Sequence, residues 1–345
     1  MVDAMSVELL MRKIELAGQP IASIYFGGGT PSILSELQLG RLLDQVFRDF
    51  EVVQNAEITL EANPDDLTPT KIAALAKVGI NRLSIGVQSF DDEQLRRMNR
   101  AHTSQQADAA IKCAQDKGIE NITADLIFAL PGLTVENYRN DVQRLLQTGV
   151  QHLSAYGLTI EPRTVFHRWA TEGRIKESDA VLFEQHFRAT PEIARTFGLE
   201  HYEVSNFGRP DFYSKHNTAY WKGHHYLGIG PSAHSYDGAS RRWNISNNPQ
   251  YLKKIAAGEA FWETEYLTDA AKCNEYLMTG LRTRWGVERK VLAGYADVGF
   301  GDEQFARLDE YVERGLAKLE EDRFVLTLDG LLQVDTLTAD VFVAS

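Results

Sequence analysis

Over the first half of the chain, short and nearly continuous apolar runs alternate with amphipathic stretches. The runs occupy residues 21–26, 57–62, 82–87, 122–128 and 152–158, and their length and continuity predict strands buried on both faces. The stretches between them carry helix-start signals. Ser35 with Gln38 and Thr103 with Gln106 match the capping-box pattern, and Thr68 precedes a proline suited to a first helical position. Gly79, Gly118 and Gly149 stand where left-handed C-caps would end three helices. Strand, helix, strand with right-handed crossovers implies a parallel sheet or barrel. The visible strands are too few for a complete eight-stranded barrel.

Beyond residue 158 the pattern loosens. Residues 178–198 predict a helix kinked at Pro191, and a segment rich in histidine, aromatic residues and glycine follows from His201 to Gly238. From about residue 268 charged amphipathic helices take over. The chain then closes on a predicted strand-turn-strand over 324–334 with its turn at Asp329-Gly330. We therefore expect residues 1–262 to form the α/β body and 263–345 a small helical domain with a β-wing.

Charge narrows the partners: 48 acidic against 36 basic side chains give a net charge of -12, a poor match to nucleic acid. The predicted wing does not reverse this, since acids outnumber bases around it. The first residues form an amphipathic helix of mixed charge, unlike a secretory signal, and no apolar stretch is long enough to span a membrane. The two cysteines, Cys113 and Cys273, form neither a disulfide framework nor a zinc spacing. We expect a cytoplasmic protein.

Candidate chemistry gathers at the carboxyl ends of the predicted strands, where parallel α/β folds bind ligands. The first strand runs into Gly27-Gly28-Gly29-Thr30-Pro31, a turn that lets backbone approach a ligand. It matches neither the dinucleotide fingerprint nor a P-loop. Glu61 and Asn63 end the second strand, Gln88 follows the third, and Asp125 interrupts the apolar fourth. An acid inside such a strand requires partners.

Taken together, Gly-Gly-Gly-Thr-Pro, Glu61-Ala62-Asn63-Pro64, Gly86-Val87-Gln88-Ser89-Phe90, Arg100 in Asn-Arg-Ala-His-Thr, and Asp125-Leu126-Ile127 before Leu130-Pro131-Gly132 resemble the radical-SAM family related to oxygen-independent coproporphyrinogen III oxidase. That family includes heme chaperones of the HemW type. The resemblance implies a partial (β/α)6 radical-SAM barrel lacking its first strand, with a small winged helical C-terminal domain. It also implies S-adenosylmethionine as a ligand: Glu61 facing the ammonium, Arg100 the carboxylate, Gln88 and Asp125 the ribose hydroxyls, and Gly28, Gly29 and Thr30 the methionine end. His216-Asn217-x-x-Tyr220-Trp221 resembles the heme-associated element of the chaperones, making His216 and Tyr220 candidate heme contacts. The implied function is to bind heme and deliver it to apo-hemoproteins such as respiratory enzymes. The alternative is a radical-SAM coproporphyrinogen oxidase of porphyrin biosynthesis.

The sequence departs from this family at its front. The family's Cys-x3-Cys-x2-Cys loop, which holds a [4Fe-4S] cluster, has no counterpart here, and Cys113 and Cys273 do not fit it. We expect no cluster on this chain as written and an exposed edge at the strand 21–26; of the two explanations, an upstream start that would restore the loop or a cluster-free relative, the retained SAM-site residues favour the first.

Overall fold

A computed structural model of the chain describes residues 1–345 except 17, 161, 163, 164, 177 and 345. Its contacts divide it into two compact units. One comprises Met1–Ile24, Ser35–Glu57 and Lys215–Ser345, the other Tyr25–Leu34 and Ile58–Ser214.

The predicted strands form β1 (Ile21–Phe26), β2 (Val52–Ala62), β3 (Arg82–Gln88), β4 (Asn121–Phe128) and β5 (His152–Gly157). β2 starts at Val52 rather than at residue 57. The short strands β6 (Glu200–Glu203) and β7 (Asn206–Gly208), which the hydrophobic pattern does not reveal, extend the sheet to the order β1-β2-β3-β4-β5-β7-β6. β2 to β5 run parallel, and β7 is antiparallel to both β5 and β6. β1 stands at one end of that order, as expected of an edge.

Both expected capping boxes form at Ser35 and Thr103, and Thr68 caps the helix Pro69–Lys77. Gly79, Gly118 and Gly149 all take positive φ. The helix Ala180–Thr196 runs continuously through Pro191.

The strands are largely buried on both faces, as expected, but apolar on only one. Leu60, Leu83, Ile85, Ile122, Ala124, Leu126 and Leu153 are buried. They alternate with Thr59, Glu61, Arg82, Ser84, Thr123, Asp125 and Ser154, so one face of the sheet is apolar and the other polar. The helices Ser104–Asp116 and Val135–Gln147 contact β3 and β4 with buried residues of their own, Ile111, Ala114, Val142 and Leu145 among them. Polar residues on the other face satisfy one another. Arg82, almost fully buried, donates to Asn121 Oδ1 and Thr123 Oγ1, both at 2.6 Å, and to the Phe212 carbonyl at 3.2 Å.

In the other unit, the N-terminal helix Val2–Met11 is held by charge. Glu8 is fully buried and accepts from Arg12 Nη1 (2.9 Å), Asn244 Nδ2 (2.7 Å), the Tyr251 hydroxyl (2.6 Å) and the Gly230 N–H (2.8 Å). This unit also contains the antiparallel strands β8 (His234–Tyr236), β9 (Ser240–Asn244) and β10 (Trp262–Tyr266). A second small sheet, β11 (Val287–Glu288), β12 (Ala317–Glu320) and β13 (Arg323–Leu326), forms the wing.

The wing corrects the expected strand-turn-strand. Its hairpin turns at Glu321-Asp322, both at positive φ, whereas Asp329-Gly330 lies inside the short helix Leu328–Leu331. Thr327 accepts from the Gly330 N–H at 3.3 Å, so the Asp-Gly pair serves a helix start instead of a hairpin. No helix among the described residues is long and apolar enough to cross a membrane.

Candidate functional site

The polar face of the sheet ends in a cluster built by four successive strand ends, all within one unit. The glycine turn after β1 is tied to the end of β2. Tyr25 donates its hydroxyl to Glu61 Oε1 at 2.7 Å, and the Gly28 N–H reaches Glu61 Oε2 at 3.2 Å. Gly28 has φ +74°, and a Cβ on Gly27 would lie 2.7 Å from Glu61 Oε1, so the turn needs glycine for both conformation and room. Ser32, just past Thr30, donates to Asp66 Oδ2 at 2.6 Å and fastens the turn a second time.

The Glu-Ala-Asn-Pro element also holds Arg100, whose Nη1 donates to Asn63 Oδ1 at 3.3 Å. Burial disfavours the Arg100 charge, while Asp125 and Asp65 favour it.

Gln88 adopts φ +68°, a conformation unusual for a residue with a side chain. Its neighbours hold it there. Ser89 donates to Asp141 Oδ2 at 2.7 Å, the Phe90 N–H reaches the same oxygen at 3.1 Å, and His102 Nε2 lies 3.0 Å from the Val87 carbonyl. A Cβ on Gly86 would come within 2.6 Å of Gln88 Nε2, so glycine there allows the amide to fold back. Backbone strain held this firmly is typical of a ligand site.

Asp125 receives the Ser84 hydroxyl at 3.4 Å. Burial and, to a lesser degree, the nearby Glu61 charge lift its carboxyl to about 7 against the opposing hydrogen bonds from Ser154 and Ser84. Glu203, at the end of β6, is likewise pushed to about 7 by burial, against hydrogen bonds from Asn206 and the Ser205 backbone. Burial and Glu61 keep the Tyr25 phenol protonated.

The structure therefore brings Gly28, Glu61, Arg100 and Asp125 into one cluster linked by contact or charge. Gln88 is held at the adjoining strand end, and Gly29 and Thr30 continue the turn. Sequence reasoning missed Tyr25, Ser84, Ser154 and Asp141, which support it. The visible signal was the alternation of polar residues along β3 to β5.

His216 and Tyr220 lie on the short helix Lys215–Trp221 in the other unit. Glu57 caps its start, accepting the N–H groups of Lys215 and His216, each at 3.1 Å. His216 Nδ1 is 3.3 Å from Ser23 Oγ, and burial lowers its pKa against the pull of Glu57, which keeps the imidazole neutral. Tyr220 is 43% exposed and lines an aromatic cavity; His216 is not part of that lining.

A [4Fe-4S] cluster does not fit the residues present. Cys113 is half-buried on a helix, and Cys273 is buried with its thiol pushed up to about 11, unfavourable for a thiolate ligand. No group of three or more metal-ligating side chains occurs among the described residues.

Residues 2–145 match the family model described as the Radical SAM superfamily. The chain is 34% identical to heme chaperone HemW of Bacillus subtilis over 94% of its length and 86% of the relative's. It is 38% identical to heme chaperone HemW of Lactococcus lactis over 78% and 71%. Among solved structures it is similar to coproporphyrinogen III oxidase (HemN) of Escherichia coli, described as a radical SAM enzyme. That likeness has a TM-score of 0.82 and 24% identity, covering 99% of this chain and 82% of the other. It establishes the fold as that of radical-SAM proteins.

Proposed function

The chain belongs to the HemW family of radical-SAM proteins, and we propose that it is a SAM-binding cytoplasmic heme chaperone that passes heme to apo-hemoproteins, respiratory enzymes among them. The observation that carries the heme reading is the helix Lys215–Trp221, which holds a neutral His216 one turn before a Tyr220 that opens onto an aromatic cavity. A neutral imidazole is a suitable axial ligand for heme iron.

For SAM, the chemistry of the donor set fits the ligand. Glu61 meets the ammonium, and Arg100 takes the carboxylate. Gln88 and Asp125 accept the ribose hydroxyls, while the glycine turn through Gly28, Gly29 and Thr30 admits the methionine end close to backbone. Bound SAM brings a sulfonium to this site; the residues here orient it. Because the cysteines do not fit a cluster, no step is assigned to one.

The test is a saturable heme titration of the parent chain against His216→Ala, with the exposed His224→Ala as control. The parent and His224→Ala should saturate near one heme per chain with a ligated Soret band, which His216→Ala should lose. Identical, non-saturating curves for all three would contradict the reading.

A further inference from the structure

The cavity beside Tyr220 has a volume of about 480 Å³ and lies within one unit. Its size suits an organic ligand, and its wall is distinctive. Five tyrosines and two tryptophans line it. Tyr226 stands between Tyr220 and Tyr236, with ring centroids 5.8 and 6.0 Å away, and Trp221 packs edge-on to Tyr220 at 5.6 Å.

Charge in the wall runs against the rest of the molecule. Four cations and two carboxylates share the lining, an excess of positive charge in a chain of net charge -12. Arg241 pairs with Glu275 through Nη2 at 2.7 Å, but its buried Nε has no hydrogen-bond partner among the described residues. Lys222 lies 4.5 Å from the Trp285 ring centroid and is exposed to solvent at the cavity. The lining contains no histidine, cysteine or methionine.

We propose that this cavity binds a tetrapyrrole through its macrocycle and its carboxylates, a hold that does not require the iron contact at His216, so that metal-free porphyrin is a ligand as well as heme. This rests on the heme-handling reading and deepens it. A flat conjugated ring gains from stacked and edge-on aromatic neighbours. Arg323 pairs with Glu288 at 2.9 Å and Lys272 with Asp269 at 3.0 Å, so Lys222 is the lining cation left to balance a propionate, and charge-assisted hydrogen bonds from Lys222 and Arg241 would hold the carboxylates. The phenols serve the same end: burial pushes Tyr226 to about 12 and raises Tyr236, so they remain protonated donors instead of becoming tyrosinate ligands. The lining supplies no iron ligand of its own, so beyond His216 the iron stays open to a residue of the acceptor. Ligation by the acceptor then draws heme out of the carrier.

The experiment is a fluorescence titration of the full chain with metal-free protoporphyrin IX, run beside a heme titration. Lys222→Ala and Trp285→Ala alter the lining, and Lys253→Ala is an exposed control outside it. Protoporphyrin should saturate near one per chain. Each lining variant should weaken both ligands about tenfold, roughly 1.4 kcal/mol, while the control does not. Protoporphyrin dimethyl ester, whose propionates are blocked, should bind more weakly than the free acid. Saturation by heme without saturation by protoporphyrin would overturn this inference and leave the heme reading standing. So would unchanged affinity in both lining variants. If neither ligand saturates, both readings fail.

Discussion

Asp125 is the residue whose chemistry bears most directly on ligand binding. Its carboxyl is raised to about 7 by burial and by the Glu61 charge. An ammonium placed on Glu61 would remove that repulsion, so the anionic form of Asp125 is favoured in the complex. SAM affinity should therefore rise with pH up to about 7 and flatten above it, with proton release on binding below that point. Calorimetry across this range on the parent and Asp125→Asn checks it, because the variant should bind more weakly and lose the slope. A slope retained in Asp125→Asn would move the effect to another group, Glu203 being next. Linkage to folding has the opposite sense: the native state keeps a proton that the unfolded chain releases near pH 4. Stability contributed by this group is full below about pH 4 and declines up to about pH 7. Glu8 is the structural counterpart, a buried carboxylate with four donors. Glu8→Ala would leave Arg12 with only its Glu15 ion pair and take the buried acceptor from Asn244, Tyr251 and the Gly230 N–H, and should cost about 3–5 kcal/mol. A chemical denaturation curve measures it, and a loss below about 1 kcal/mol would contradict the role given to this network.

At the scale of elements, the wing offers a clean test. Its turn places Glu321 and Asp322 at φ +48° and +71°, a geometry that asparagine and glycine adopt with less strain. Replacing the pair by Asn-Gly should stabilise the chain by about 0.5–1 kcal/mol, seen as a higher melting temperature; a decrease would mean that the turn is not of this kind. The same turn explains why the wing was misread in the sequence. Asp329-Gly330 carries the stronger hairpin signal, yet the Thr327 hydroxyl recruits it into a helix start, and Glu-Asp announces no turn. β1 to β5 were legible because each is a compact apolar run between helix-start signals. β6 and β7 were not, since strands of four and three residues carry too little pattern. Asp125 stood out as an acid in an apolar run. Ser84 and Ser154 read as ordinary alternation, and only the paired strands show that they serve it. Asp141 sits on a helix remote in sequence from the Gln88 turn it holds.

At the scale of the whole molecule, one unit carries the strand-end cluster suited to SAM and the other carries the helix Lys215–Trp221 with its aromatic cavity. A carrier differs from a storage protein in giving up its ligand to an acceptor. The most direct measurement is therefore transfer: the chain is loaded with one equivalent of heme, separated from free heme and mixed with an excess of an apo-hemoprotein whose Soret band differs from the donor's. The account predicts a stoichiometric donor complex and growth of the acceptor band to nearly one heme per donor. His216→Ala, compared at equal heme loading, should lack the ligated donor spectrum. A chain that cannot be loaded stoichiometrically, or that keeps its heme in the presence of excess acceptor, would contradict the account.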